Sequence, residues 1–492
     1  MKLRGRTLAV TAAAGALSLV LAACGSQLSP EDVRAASAGT GGGLDQGMAA
    51  GGEALGTEAG GDTGAGGTTA GTTTGGGAAS GGSGGSGASA GSSGGGSAPQ
   101  AGGANAATGT TKAGDCNGFK NQVGITDKSI VIANAADVSG PVPGLFESAQ
   151  QAVQAYAAYF NATSDICGRK LEVLKLDSRT DAGADQQAYA KACESAFAAV
   201  GSMSAFDSGG AATADKCGIP DLRSANVSAE RQKCDNCFGV QSANPNTFQN
   251  AVPDHILKNY PAAAKSAAYV WINAGVGPLN ANNQANAMER RGMKFVYRQG
   301  IDVSEFNYGP YVQQMKEKGV KYVQFLGAYQ QAVRLAQAMQ QQGFKPDAFV
   351  LDPTGYDPRY VESGGAAVEG TKIFINIAMF EEANSNKEMA LYQAWLQQVK
   401  PGATPTFFGL FSWSAARLFV EQSLALGGRL NRESLVQAVR KVDGWTSNGL
   451  HSPQHVGSKE TGDCWRWIVL KGGKWVPEGS TKYTCNGVSD AT

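Results

Sequence analysis

The sequence predicts an α/β fold, with parallel sheets covered by helices, behind a disordered Gly-rich tether. Three observations lead to it: an apolar run at the N-terminus, a low-complexity stretch after it, and strand–helix alternation from Ser129 onward. Of the 68 glycines in 492 residues, 31 fall between Gly25 and Gly114, a stretch without Phe, Tyr or Trp. Such a segment buries too little apolar surface to offset the entropy of ordering. The 378 residues from Asp115 onward suffice for two lobes with real cores. Lys+Arg and Asp+Glu both number 41, so no net charge draws the chain to nucleic acid or acidic lipid. After the N-terminus no apolar run is long enough to span a membrane.

Lys2, Arg4 and Arg6 precede the apolar run Leu8–Leu21, which has the size of a signal-peptide core. It ends in Leu21-Ala22-Ala23-Cys24-Gly25. That ending resembles the lipobox of bacterial lipoproteins, which implies export, cleavage after Ala23 and acylation of the Cys24 thiol. Residues 1–23 are thus expected as a signal peptide and 24–114 as the lipidated Cys with its linker. Several acyl chains on one residue make a stable anchor, placing the chain on the outer face of the cell membrane. A coil of this length reaches roughly 50 Å.

Eight cysteines remain: Cys116, Cys167, Cys193, Cys217, Cys234, Cys237, Cys464 and Cys485. An even count in an exported domain argues for disulfides. Eight permit about 105 pairings, and sequence neighbourhood favours joining them in the order given, pair by pair. Cys234-Asp235-Asn236-Cys237 follows a polar loop, which favours a bridge over a redox or zinc site.

Ser129–Ala135 reads as a buried strand. Ala149, Val153, Tyr156 and Phe160 then recur at helical spacing. Leu171–Leu176 is the next strand and Ala184–Val200 the next helix, followed by short strands near Val200–Ser204 and Ile219–Arg223. The scheme repeats with strands Ala267–Ile272, Lys294–Arg298, Val320–Leu326 and Ala348–Leu351, and helices Leu279–Arg291, Tyr308–Lys318 and Ala328–Gln342. After strand Lys372–Ala378 come helices Lys387–Val399, Leu410–Leu426 and Arg432–Val442. A β ending closes the domain at Trp465–Leu470 and Lys474–Val476. Ligands of such sheets lie beyond the carboxyl ends of the strands. The loops concerned are Val138–Phe146, Met203–Asp207, Ser224–Ser228, Asn273–Pro278, Ala328–Gln331 and Asp352–Pro358.

The Ser129–Pro141 run (SIVIANAADVSGP), the βα order after it and the late Cys464-Trp465-Arg466-Trp467…Gly472-Gly473-Lys474-Trp475 segment are in the order of a known family. The chain resembles the leucine/isoleucine/valine-binding proteins, type I periplasmic-binding-protein-like substrate-binding proteins of ABC transporters. The resemblance implies two Rossmann-like lobes joined by three crossovers. They fall near Gln241–Pro245, Asn376–Glu382 and Ser447–Pro453, giving lobe one as 115–243 plus 378–448, lobe two as 244–377 plus 449–485, and a tail at 486–492. It also implies a monomer without cofactor or catalysis, which takes a small polar ligand, an amino acid or a related amide or acid, from an interlobe cleft to a permease. A receptor of the same fold signalling to a membrane partner, and an exported cell-wall protein without a soluble ligand, are the alternatives.

The family's roles fall on Ser139, Phe146, Ser204, Ala205, Phe206, Ala225, Ser228, Tyr329, Asp352, Thr354 and Tyr356 as ligand-binding positions. Ser204 would offer a hydroxyl to a carboxylate, although Ser204 and Ser208 equally suit helix capping. The family's ammonium-pairing Glu falls on Thr354, so Asp352 or Asp357 would have to substitute. A packing tyrosine at 329 and a surface phenylalanine at 146 would look the same in sequence. His451 and His455 stand four apart around Pro453, which argues against a helix presenting both to a metal. No metal site is expected.

Overall fold

The computed structural model describes residues 114–492. The expected signal peptide, Cys24 and the tether through residue 113 lie outside them. Among the described residues no helix is long and apolar enough to cross a membrane.

Two sheets organise the chain. The first comprises β1 (Ser129–Ala136), β2 (Lys170–Asp177), β3 (Ala198–Val200), β4 (Asp221–Ala225) and β5 (Cys237–Gln241), in the order β2-β1-β3-β4-β5. All its pairings are parallel, with Ile132 opposite both Val173 and Ala198. β1, SIVIANAA, is buried almost throughout, as a strand covered on both faces must be. β2 alternates Lys and Glu with Leu and Val and takes the edge.

After β6 (Thr247–Gln249) the second sheet is laid down. Its strands are β7 (Ala267–Ile272), β8 (Phe295–Ile301), β9 (Tyr322–Leu326), β10 (Ala348–Leu351), β11 (Lys372–Ile375), β12 (Cys464–Lys471) and β13 (Lys474–Pro477). β7 to β11 pair in parallel, and β12 adds antiparallel beside β11, with β13 outside it. β14 (Thr484–Cys485) pairs with β12. β15 (Val488–Asp490) falls in the segment expected as a tail and pairs instead with β6.

The helices follow the apolar spacing. Glu147–Thr163 buries Ala149, Val153, Tyr156 and Phe160. Against it pack Lys387–Val399 and Phe407–Leu426, so the chain returns to the first sheet after finishing β11. Trp413 anchors this return: it meets Tyr156 edge-on at 4.9 Å and its indole N–H donates to Glu388 Oε1 at 2.7 Å. Glu388 in turn pairs with Arg417 at 2.8 Å.

Several boundaries differ from expectation. The helix read as Ala184–Val200 stops at Ser195, and Ala198–Val200 is β3. A run of alanines suits either state, and pairing with Ile132 and Ala133 decides for strand. β5 and the helix Ala251–Asn259 were not expected, because a Cys-rich loop precedes the first and Pro253 sits inside the second. Pro253 lies in the opening turn, where a missing N–H costs nothing. Phe407–Leu426 begins three residues before the expected Leu410, capped by Thr406, whose side chain accepts the Gly409 N–H at 3.1 Å.

The four disulfides are Cys116–Cys167, Cys193–Cys217, Cys234–Cys237 and Cys464–Cys485, the pairs favoured by neighbourhood. The three passages between sheets run side by side. Ser242 N–H donates to Gln454 Oε1 at 2.9 Å, Ser452 N–H to the Asn376 carbonyl at 2.8 Å, and Ala378 N–H to the Leu450 carbonyl at 2.9 Å. His451 belongs to this bundle, stacked on Phe411 with ring centroids 4.8 Å apart. It does not meet His455, which bonds Asp443 at 2.6 Å.

Candidate functional site

Loops at the carboxyl ends of both sheets enclose a cavity of about 230 Å³. Each of the six loops marked by topology contributes to it, through Phe146, Ala205, Asn226, Val276, Gln331 and Asp352 among others. The passage Gln241–Gln249 forms a further wall, and Phe374, Phe408 and Trp465 complete the lining.

On the first sheet's side, Asp137 organises the loops. Its carboxylate accepts the Ser178 hydroxyl at 2.5 Å, the Thr180 N–H at 3.0 Å and the Ala205 N–H at 2.8 Å. Burial raises its pKa against the pull of those bonds. Thr180 and Ala205 both border the cavity. Phe146, at the start of its helix, sets its ring edge-on to Phe408 at 5.4 Å.

The loop after β4 is held from behind by a buried charge cluster. Asp207 Oδ2 accepts the Val227 N–H at 2.9 Å. Arg231 reaches Asp221 at 2.7 Å, Asp185 at 3.2 Å and the Asp207 carbonyl at 2.6 Å, with its guanidinium 4.0 Å above the Tyr189 ring. All these side chains are fully buried. Charges so placed survive only by mutual pairing, so the cluster fixes the backbone that carries Asn226 and Val227.

On the second sheet's side, Asp352 caps the short turn Pro353–Gly355, accepting the Thr354 N–H at 3.0 Å and the Thr354 hydroxyl at 2.5 Å. Desolvation pushes its pKa up to about 6. Among the described residues no Lys, Arg or His lines the cavity. Helices Gly277–Arg290 and Tyr329–Gln341 both begin at its edge behind Val276 and Ala328, residues whose side chains cannot cap. Gln331, in the first turn of the latter, is buried, and its Oε1 has no hydrogen-bond partner among the described residues.

Of the positions expected to meet ligand, Phe146, Ala205, Asp352 and Thr354 border the cavity. The others lie elsewhere. Ser139 is exposed and its hydroxyl donates to Asp177 at 2.6 Å. Ser204 is buried, its oxygen accepting the Phe206 N–H at 3.1 Å. Phe206 lies beside Gly275 of the opposite lobe. Ala225 is packed in the core beneath Phe146 and Met203. Ser228 caps the helix Ala229–Lys233. Tyr329 borders a smaller recess under the Arg359 guanidinium, 4.7 Å from its ring. Tyr356 stacks on Phe380 at 4.4 Å and donates to Glu381 at 2.6 Å.

Gln331 lies at the end of a loop that topology marks, whereas Phe408, Trp465 and the Gln241–Gln249 wall are not singled out by the sequence. Thr406 before two phenylalanines was a legible cap for the helix that presents Phe408. Nothing local marks Gln241–Gln249, whose place depends on how the two sheets face each other.

One parallel sheet, a second that is parallel except at its β12 side, three adjoining passages and a cavity between the strand ends define a two-lobed binding protein. Residues 129–462 match the family model described as periplasmic binding protein, and the chain belongs to that family. A comparison with curated protein sequences gives no match. Among solved structures, the chain is similar to a leucine binding protein from Thermotoga maritima (16% identity, TM-score 0.59, covering 73% of this chain and 99% of that one). It is likewise similar to a fatty acid ABC transporter substrate-binding protein from Thermomonospora curvata (18%, TM-score 0.60, 75% and 95%). A third is an ABC transporter solute binding protein from R. palustris in complex with benzoate (16%, TM-score 0.59, 74% and 98%). At these identities the likeness establishes the fold.

Proposed function

We propose that this chain is an extracytoplasmic solute-binding lipoprotein, anchored through Cys24, that hands a small carboxylic acid or amino acid with an apolar body to an ABC importer. The observation that supports this most is the cavity of about 230 Å³ lined from both sheets. Its walls of Phe146, Phe248, Phe374, Phe408 and Trp465 suit an apolar body better than the small polar solute expected from sequence. The proteins of like fold are described with leucine, a fatty acid and benzoate, which share a carboxyl group and a carbon frame. With no cationic side chain among the described residues of the lining, an anionic end would be met by backbone N–H groups and the Gln331 amide. Asp352 would meet an ammonium.

Thermal-shift and calorimetric titration against L-leucine, L-phenylalanine, benzoate, octanoate and acetamide tests the reading. A true ligand at a hundred times its Kd adds about 2.7 kcal/mol of stability, which is several degrees in Tm. Stabilisation by acetamide alone would restore the small polar solute, and no stabilisation by any of the five would remove the reading.

A further inference from the structure

The two lobes also touch beside the cavity, through bonds outside the three passages that join them. Val276 N–H, in the loop after β7, donates to the Ala205 carbonyl in the loop after β3 at 3.2 Å. Asn280 Nδ2 donates to the Val227 carbonyl, in the loop after β4, at 3.3 Å. Immediately before Val276 stands Gly275, with φ of +52°. A Cβ there would stand 2.0 Å from the Ala205 oxygen, 2.8 Å from its carbon and 3.3 Å from the Phe206 ring. Real carbon–oxygen contacts do not approach 2.0 Å, and the atoms met first are backbone, which cannot swing aside. Every one of them belongs to the opposite lobe. The conflict therefore arises only when the lobes are together, and vanishes when they part.

We infer that Gly275 is the positioning residue that lets the lobes shut, with the Ala205 carbonyl as its seat and the Val276 and Asn280 bonds as the clasp. Ala205 borders the cavity, as do Val276 and Asn280, so the clasp forms part of the wall that it closes. A side chain at position 275 would hold the wall open and the site incomplete. The inference rests on the reading of the chain as a binding protein whose lobes move.

The test uses no ligand, so its outcome is separate from that of the titration above. All eight cysteines of the described residues are in disulfides, so spin labels can be placed at Lys191→Cys and Lys345→Cys in the full chain carrying Cys24→Ser. Both positions are exposed, one on each lobe. Pulsed dipolar spectroscopy in concentrated sucrose, which favours the compact form, reads the fraction at the lobe separation of the structure.

The expected result is a short-distance population in the parent that falls at least tenfold in Gly275→Ala. Gly275→Asn should fall equally, because Asn tolerates a left-handed backbone and so isolates the steric clash from backbone strain. Asn280→Ala, which removes one clasp bond without adding bulk between the lobes, should give a smaller fall. The Tm of Gly275→Asn should stay within about a degree of the parent, since an open lobe pair loses no core. A parent without the short-distance population, or Gly275 variants that retain it, would overturn the inference.

Discussion

The Asp137 carboxylate accepts the backbone N–H of Ala205 at 2.8 Å while its other oxygen holds Ser178 and Thr180. One fully buried side chain thus fixes two loops, both of which reach the cavity. Asp137→Asn presents an NH2 group where two oxygens now accept, leaving a buried N–H facing a donor. The expected loss is about 2 kcal/mol, seen as a lower urea midpoint, with weaker capture of whichever compound the titration identifies. A variant with parental midpoint would mean that these loops hold themselves without the carboxylate.

Asp352 and His451 should drive stability in opposite directions with pH. Burial raises Asp352 from 3.8 to about 6, so the folded state binds the proton more tightly than the unfolded state. Its contribution is most favourable below pH 3.8 and is lost as pH rises to 6, by roughly 3 kcal/mol. In Asp352→Asn this loss is absent. The difference in unfolding free energy, variant minus parent, should therefore grow by about that amount from pH 4 to pH 7. A flat difference would place Asp352 in contact with water.

His451 Nδ1–H donates to the Ser452 carbonyl at 2.9 Å, which leaves Nε2 to accept from the Ser414 hydroxyl at 2.8 Å. Burial lowers its pKa from 6.5 to about 4. The neutral ring is the folded form, so stability is complete above pH 6.5 and drains away as pH falls toward 4, again by roughly 3 kcal/mol. His451→Gln should remove this acid limb, and the parent, carrying both groups, should be flatter between pH 4 and 6.5 than either variant. NMR titration of the ring checks the assignment directly: a midpoint near 6.5 would contradict the buried neutral tautomer.

Much of this architecture was legible because strands such as Ala267–Ile272 and Ala348–Leu351 are continuous apolar runs whose limits coincide with those observed. The loops at strand ends were legible for the same reason, since topology alone says where a cleft opens. Individual roles were not. Ser139, Ser204 and Ser228 have the right chemistry for a carboxylate, yet each is committed to Asp177, the Phe206 N–H or a helix start. Local capping competes for the same hydroxyls that a ligand would use, and sequence does not reveal which wins. Trp465 reads as a core strand residue, and only the position of Thr461 and Gln241–Gln249 around it makes it a cavity wall.

The disulfides should differ in worth by the length of chain they close. Cys116–Cys167 spans 51 residues and Cys234–Cys237 only 3. Loop-closure entropy gives about 4 kcal/mol for the first and less than about 2 kcal/mol for the second. Denaturation of the Cys116→Ser/Cys167→Ser and Cys234→Ser/Cys237→Ser double variants measures both. Equal losses would show that strain or residual unfolded structure governs these bridges.

Gln454 sits where the passages between lobes meet. It is fully buried. Its Oε1 accepts the Ser242 N–H at 2.9 Å from the first passage, and its Nε2 donates to the Ser452 carbonyl at 2.8 Å in the third. Its backbone is bonded both ways to Trp445. Both ends of the amide are thus used, one as acceptor and one as donor, a demand that an ionised carboxylate of this size does not meet. Gln454→Glu keeps the shape but sets an oxygen against the Ser452 carbonyl, so the acid must take up a proton or repel its neighbour. The expected cost is about 2–3 kcal/mol at neutral pH, shrinking as pH falls toward 4 and the acid becomes a donor. Hydrogen exchange localises the effect: the Ser242 amide should exchange faster in the variant at pH 7, while amides of β1 and β7 keep their protection. Uniform acceleration across both sheets would mean that the passages are part of one cooperative core and do not form a separable hinge.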